Sequence, residues 1–221
     1  MIRLHHAHGT RSERVLWLLH ELQVPFEVKV WPFDKTLRSD AYAALHPVGR
    51  VPALEVEGAT LIESGAMIEH LCDLHPASGL GRPSGHPERA KWLQWLHFAE
   101  TISQHVAALT QQHIMLYEDH QRSPLVMRLE AKRLERCFAF VEAALSDGRS
   151  ELLAGGFSAA DVAVGQAVTM GRHFARIEGM PSLALWHARL RSRPAFQAAA
   201  PPDGEGPYAQ EFYLPWPDQA T

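Results

Sequence analysis

Strand-like patterning in this chain stops near residue 76 and never returns, and that change constrains the fold more than any other feature. Upstream of it, alternating runs and helical runs take turns. Ile2-Arg3-Leu4-His5-His6 alternates as a strand does. Val15, Leu18, Leu19 and Leu22 fall at i, i+3, i+4 and i+7, one face of a helix that Thr10 or Ser12 is placed to cap and Pro25 to stop. Phe26, Val28 and Val30 alternate again. So short a strand–helix–strand crossover predicts parallel strands. A short helix over 39–45 should end before Pro47. Strands over 53–56 and 60–62 are joined at Glu57-Gly58, a hairpin signal, and a helix follows over 64–75.

Residues 76–87 hold three prolines and three glycines and no apolar period. After them every periodic signal is helical. One long helix is expected over 87–117, with a broken stripe of Leu93, Leu96, Ile102, Val106 and Leu109, and a second over 124–145, with Leu134, Phe138, Val141 and Leu145. A third starts at Ser158-Ala159-Ala160-Asp161, a capping box with Asp in the place of Glu, which Phe157 and Val162 could staple. Leu183, Trp186 and Leu190 mark another, stopped by Pro194. The expected fold is α/β plus all-α: a thioredoxin-like β-α-β-α-β-β-α domain over 1–76, a linker over 77–87, a helical bundle over 88–200, and a Pro- and aromatic-rich tail over 201–221.

With 221 residues the chain is long enough for one large domain or two small ones, and 46% hydrophobic with 21% charged residues is an ordinary globular mix. A net charge of −4 argues against nucleic acid or an anionic membrane as partner. There is no basic leader with an apolar core, and no apolar run long enough for a bilayer. Cys72 and Cys137 make no disulfide framework, so a cytoplasmic, reducing setting is expected.

Two stretches point to a ligand. In Val51-Pro52-Ala53-Leu54 the proline, held in a buried turn, could be cis and would leave the Val51 N–H and C=O facing outward, ready to pair with an extended peptide. In Glu63-Ser64-Gly65-Ala66-Met67-Ile68 a helix begins at Ser64, whose unpaired N–H groups suit a carboxylate, and Glu63 suits an ammonium. An amino-acid head group fits that pair. Physics alone allows a plainer account, with Ser64 an N-cap, Glu63 a solvated charge and Pro52 a strand stop.

His46-Pro47-Val48-Gly49-Arg50-Val51-Pro52 followed by Glu63-Ser64-Gly65-Ala66-Met67-Ile68 resembles the glutathione site of the cytosolic glutathione S-transferases. The family usually has Asn at the His46 position and Ile at the Met67 position. The run Thr10–Leu19 and the Phe157–Asp161 stretch are further concordant signals, and the whole layout is similar to bacterial, serine- or theta-like members. The resemblance implies a homodimer that binds glutathione through Arg50, Val51, Pro52, Glu63 and Ser64, with Lys35 and Arg38 as further glycyl contacts. It also implies activation of the thiol by a donor at the end of the first strand. There is no Tyr or Cys there, so the hydroxyls are Thr10, which fits best by position, and Ser12. A backbone N–H of Thr10 or Arg11 is the alternative. Moving a thiol pKa from about 8.5 to about 6.5 takes roughly 2.7 kcal/mol.

His5, His6 and His8 lack carboxylate or thiolate neighbours for a metal, and none is expected. His5 or His6 is instead assigned to the second-substrate pocket, with His113 and Tyr117 (and Met115 and Phe98) from the helical part. Tyr208, Phe212, Tyr213, Leu214 and Trp216 could fold back as a lid. The expected activity is thiolate attack on a small apolar electrophile. Alternatives are a glutathione-dependent isomerase of the same fold, for which Arg11 and Arg172 would be the extra cations, and a non-catalytic glutathione- or ligand-binding protein.

Overall fold

A computed structural model describes residues 1–208 and 210–213. Four strands form one sheet in the order β2-β1-β3-β4: β1 Ile2–His6, β2 Phe26–Val30, β3 Ala53–Val56 and β4 Ala59–Leu61. β1 and β2 are parallel with Ile2 opposite Phe26, whereas β3 runs antiparallel to β1 with Leu4 opposite Leu54. The β3–β4 turn is built from Glu57 and Gly58, both at positive φ (52° and 82°), which matches the right-handed twist of a two-residue hairpin. Helix α1 (Glu13–Leu22) makes the parallel crossover, α2 (Asp40–Ala43) is a single turn, and α3 (Ser64–Leu74) follows the hairpin.

Among the described residues the chain then forms helices and no further strand: α4 (Arg89–Thr110), α5 (Pro124–Leu145), α6 (Ala159–Gly171), α7 (Pro181–Arg191) and α8 (Pro194–Ala199). The molecule is a thioredoxin-like domain followed by a helical domain. α6 is its axis, mostly apolar and buried along almost its whole length, with Asp161 and Gln166 as buried polar exceptions. A Cβ at Gly165 would lie 2.5 Å from Leu190 Cδ1 and 3.3 Å from the Trp17 ring, so the glycine lets α1 and α7 close on α6. The capping box at Ser158 forms: Asp161 Oδ2 accepts the Ser158 N–H at 3.0 Å, and Ser158 Oγ accepts the Ala160 N–H at 3.2 Å.

Three local expectations are corrected. The α-helical geometry expected over 87–117 runs from Arg89 to Thr110 and passes into a π-helical turn, Gln111–Met115, closed by the Leu116 N–H on the Gln111 carbonyl. Pro194 opens α8 rather than merely ending α7, because its missing N–H is not needed at a first helical position. Ser12 precedes α1 but its side chain makes no cap bond, since its hydroxyl is taken up by the preceding turn. Among the described residues no helix is long and apolar enough to cross a membrane. Leu214 and Trp216 lie outside the described residues.

Candidate active site

Sheet register gathers three segments at one end of the sheet. His5 of β1 lies opposite Ala53 of β3, so the turn leaving β1 at Ala7 lies beside the chain entering β3 at Val51. Leu61 of β4 lies opposite Leu54, so Ile62, Glu63 and Ser64 return to the same end.

The Val51–Pro52 bond is cis. Neither the Val51 N–H nor its C=O has a hydrogen-bond partner among the described residues. The Tyr42 hydroxyl donates to the Arg50 carbonyl at 2.6 Å and fixes the approach to β3, while the Arg50 side chain is exposed. His46 stacks parallel to Tyr42, with its Nδ1 buried and unpartnered. Glu63 sits at φ 74°, a conformation that costs a non-glycine residue about 1–3 kcal/mol, and its side chain is exposed. α3 then starts at Ser64 with no side-chain cap, which leaves its first N–H groups open to a ligand. Lys35 and Arg38 lie on an exposed turn before α2.

Beneath Ser64 lies an ionic hub. The Arg14 guanidinium, 1% exposed, donates to Glu100, to Ser103 Oγ at 2.7 Å, to Gln166 Oε1 at 3.1 Å and, at 3.5 Å, to Ser64 Oγ. Arg11 donates to the other Glu100 oxygen at 2.7 Å. Burial works against the Glu100 carboxylate, but Arg14 and Arg11 hold its pKa below the ordinary value.

The β1–α1 turn carries both hydroxyl candidates. Thr10 Oγ1 lies 2.7 Å from the Ala7 carbonyl and 2.7 Å from Ser12 Oγ. Ser12 Oγ accepts the Ala7 N–H at 3.2 Å and lies 2.7 Å from His6 Nδ1. His6 Nε2 in turn lies 3.2 Å from His8 Nδ1. Thr10 is 7% exposed, whereas Ser12 and His6 are fully buried. The Glu13 carboxyl accepts the Gly9 N–H at 2.7 Å, and burial pushes its pKa up to about 7. Gly9, at φ 68°, is in contact with Gly206 and Pro207; a Cβ there would lie 2.5 Å from Pro207 Cδ.

The tail therefore crosses the turn and runs on over the helical domain. The Tyr208 hydroxyl is 3.0 Å from Thr110 Oγ1, and its ring stacks on His173 at 4.8 Å. Phe212 stacks on Phe174 and packs against His113. A cavity of about 240 Å³ is lined by Leu109, His113, Met127, Phe174 and Phe212. A larger one, about 360 Å³, opens behind α1 between Glu13, Trp17, Thr169, Arg172 and Phe196.

The residues assigned to a second-substrate pocket are thus not brought together. His113 lines the smaller cavity. His5 is buried in the sheet, its Nε2 donating to Glu55 at 2.7 Å and its Nδ1 accepting the Trp31 N–H at 3.0 Å. Neighbouring strands and loop use up both ring nitrogens, so it faces neither cavity. Tyr117 is 81% exposed, beyond the point where α4 has ended, and Phe98 packs with Trp95 and Phe140 between α4 and α5. Cys72 and Cys137 are buried, and burial pushes the Cys72 thiol up to about 12. Among the described residues no group of three or more His, Cys, Asp or Glu could hold a metal. Sequence reasoning missed the Arg14 hub, the Glu13 bond to Gly9 and the Ser12–His6 contact. The last had a signal, histidines and hydroxyls alternating through one short turn.

Two buried histidines give stability a pH slope. Burial, with positive neighbours adding to it, pushes His6 down to about 4 and His187 down to about 3. The unfolded chain binds these protons below about 6.5, so the stability they contribute is complete above that pH and is lost as pH falls towards 4. Glu13, raised to about 7, acts with the opposite sign between about 4.5 and 7. Asp161, also raised by burial, acts with Glu13, while His20, His46, His113 and His173, all lowered by burial, act with His6 and His187, so the melting temperature is expected to climb from pH 4 to pH 6.5 and to climb less steeply in His187→Gln.

A thioredoxin-like domain that leaves the Val51 main chain unpaired beside an uncapped helix start, followed by a helical domain, defines the architecture of the chain. Residues 4–81, the thioredoxin-like domain and the turn after it, match the family described as glutathione S-transferase, N-terminal domain. It is 39% identical to Glutathione S-transferase 3 of Schizosaccharomyces pombe over 100 residues, 45% of this chain and 41% of that protein. It is 28% identical to Glutathione S-transferase 1 of the same yeast over 213 residues, 87% of this chain and 92% of that one. The fold matches that of a glutathione transferase from Phanerochaete chrysosporium, solved with oxidized glutathione, at a TM-score of 0.80 and 24% identity, covering 90% of this chain and 92% of that one.

Proposed function

We propose that the protein is a glutathione transferase that binds glutathione at the end of the sheet and presents its thiolate to an apolar electrophile. The observation that carries this reading is the meeting of three segments by sheet register, with the Val51 main chain left unpaired among them. The Val51 N–H and C=O pair with the cysteinyl unit as a neighbouring strand would. The N–H groups at the start of α3, with Ser64 Oγ, take the γ-glutamyl carboxylate, and Glu63 takes the ammonium. Arg50 is the cation for the glycyl carboxylate.

Of the two hydroxyls, Thr10 is the outer and Ser12 the inner, fully buried one. Thr10 is therefore assigned as the donor to sulfur, its O–H turning to the thiolate from the Ser12 Oγ and the Ala7 carbonyl that it meets in the turn, and Ser12 as the group that holds it. A hydrogen bond to a charged acceptor contributes about 1.5–3 kcal/mol, of the order needed to bring a thiol into its ionised form near neutral pH. The thiolate then attacks the electrophilic carbon and the leaving group departs with its electron pair.

Calorimetric titration with glutathione, beside conjugation of a chloro-nitrobenzene, tests the assignment. Ser64→Ala should weaken glutathione binding by about 3- to 10-fold, one net hydrogen bond. Thr10→Val should keep the affinity and lower kcat/KM by roughly 10- to 100-fold. No binding by the unmutated protein would sink the reading. Full turnover in Thr10→Val would move the donor role to a backbone N–H.

A further inference from the structure

The turn that carries Thr10 also holds a continuous row of hydrogen bonds leading away from it. Thr10 Oγ1 meets Ser12 Oγ at 2.7 Å, Ser12 Oγ meets His6 Nδ1 at 2.7 Å, and His6 Nε2 meets His8 Nδ1 at 3.2 Å. The first three side chains are buried and His8 is only half-buried, so the row runs from the inside of the turn towards water. We propose that this row is the exit route of the glutathione thiol proton, with His6 and His8 carrying to solvent the proton that Thr10 receives. The inference rests on the reading of Thr10 as the hydroxyl facing sulfur.

Every member of the row can both give and take a proton. Before ionisation the thiol S–H donates to Thr10 Oγ1, Thr10 O–H to Ser12 Oγ, Ser12 O–H to His6 Nδ1, and His6 Nε2–H to His8 Nδ1. One hop along each link reverses all of them. The S–H bond breaks, the electron pair stays on sulfur, and its proton goes to Thr10. Thr10 passes its own to Ser12, and Ser12 passes its own to His6 Nδ1. His6 releases its Nε2 proton to His8 Nδ1, and His8 releases its Nε2 proton to water. One proton has left, and His6 has only changed tautomer.

The reversal leaves the Thr10 O–H pointing at the new thiolate, so removing the proton and stabilising the anion are one event. A direct exit is less open. Ser12 and His6 have no exposed surface, and Gly206 and Pro207 lie on Gly9 of the same turn. His6 is also suited to conduct rather than store a proton, because burial first and His8 second keep its imidazole neutral down to about pH 4. The row reverts through water once product has left.

The test is rapid mixing with glutathione, read by thiolate absorbance and by an indicator dye for the released proton. In His8→Ala the expected result is thiolate formation slowed by roughly tenfold or more, the lower part of what a positioned proton-transfer group supplies. Glutathione affinity should stay within about twofold, since His8 touches none of the proposed ligand contacts. Free imidazole in the buffer should restore the rate. A residue that only braces the turn would not be rescued in that way. His8→Asn, which keeps an acceptor for the His6 N–H but passes no proton on, should be as slow as His8→Ala.

Thiolate formation at the original rate in both variants, indifferent to imidazole, overturns the relay and leaves the transferase reading standing. Glutathione bound by the unmutated protein with no proton released overturns the transferase reading, and the relay with it.

Discussion

Arg14→Leu is expected to destabilise the protein by about 3–5 kcal/mol, the usual cost of leaving the partner of a buried charge alone. The guanidinium is 1% exposed and binds three elements at once: Glu100 and Ser103 on α4, Gln166 on α6, and Ser64 at the start of α3. Leucine fills part of the volume but returns none of the five donors. Glu100 keeps Arg11, yet that side chain is 41% exposed and replaces only part of the lost pairing. Urea unfolding should show a lower midpoint with an unchanged slope. The companion change Glu100→Leu should recover part of the loss, because the double variant buries no unpaired carboxylate. A double variant no better than Arg14→Leu alone would show that the cost lies in the Ser103 and Gln166 bonds.

Asp161→Ala is expected to have a comparable effect, again about 3–5 kcal/mol, by leaving several buried donors without an acceptor. Its Oδ1 accepts the Leu152 N–H at 2.9 Å and the Trp186 Nε1–H at 3.1 Å. Its Oδ2 accepts the Ser158 N–H at 3.0 Å. One side chain thus joins the loop before α6, the start of α6 and the middle of α7. Ser158→Ala, which removes the cap acceptor on the Ala160 N–H and a long 3.3 Å donation to Asp161 Oδ2, should cost about 1 kcal/mol. Thermal unfolding of the two variants separates a local cap from a junction. Equal losses would mean that Asp161 works as a helix cap and nothing more.

What the sequence makes legible is the chemistry that acts over a few residues. Glu57-Gly58 reads as a hairpin because two adjacent positive φ values are needed there, and Ser158 with Asp161 reads as a capping box because both partners lie within one turn. The α/β-then-helical order follows from period alone. Arg14 escapes such reasoning. The Val15, Leu18, Leu19, Leu22 stripe marks one face of α1 as apolar, whereas α6 and α8 cover the opposite face, and burial there is visible only when both domains are in place. Ser12 is similar: as a residue before a helix it reads as a cap, but the turn folds back and hands its hydroxyl to His6. Position along a strand or helix does not show the Trp31 and Glu55 side chains that close around His5, or the π-helical turn that ends the helix just before Tyr117.

Gly9 and Gly206 touch backbone to backbone although they lie far apart along the chain. Synthesis therefore sets an order of events. The turn bearing Thr10 leaves the ribosome long before the segment that covers it. While α4 to α8 are being made, that turn has no lid, and the His173 and Phe174 rings lack Tyr208 and Phe212. A premature stop after α8 would release a product with its sheet and helices complete but these aromatic faces bare, a surface that holding chaperones recognise. The same contact makes translation past Phe212 the step that covers these faces.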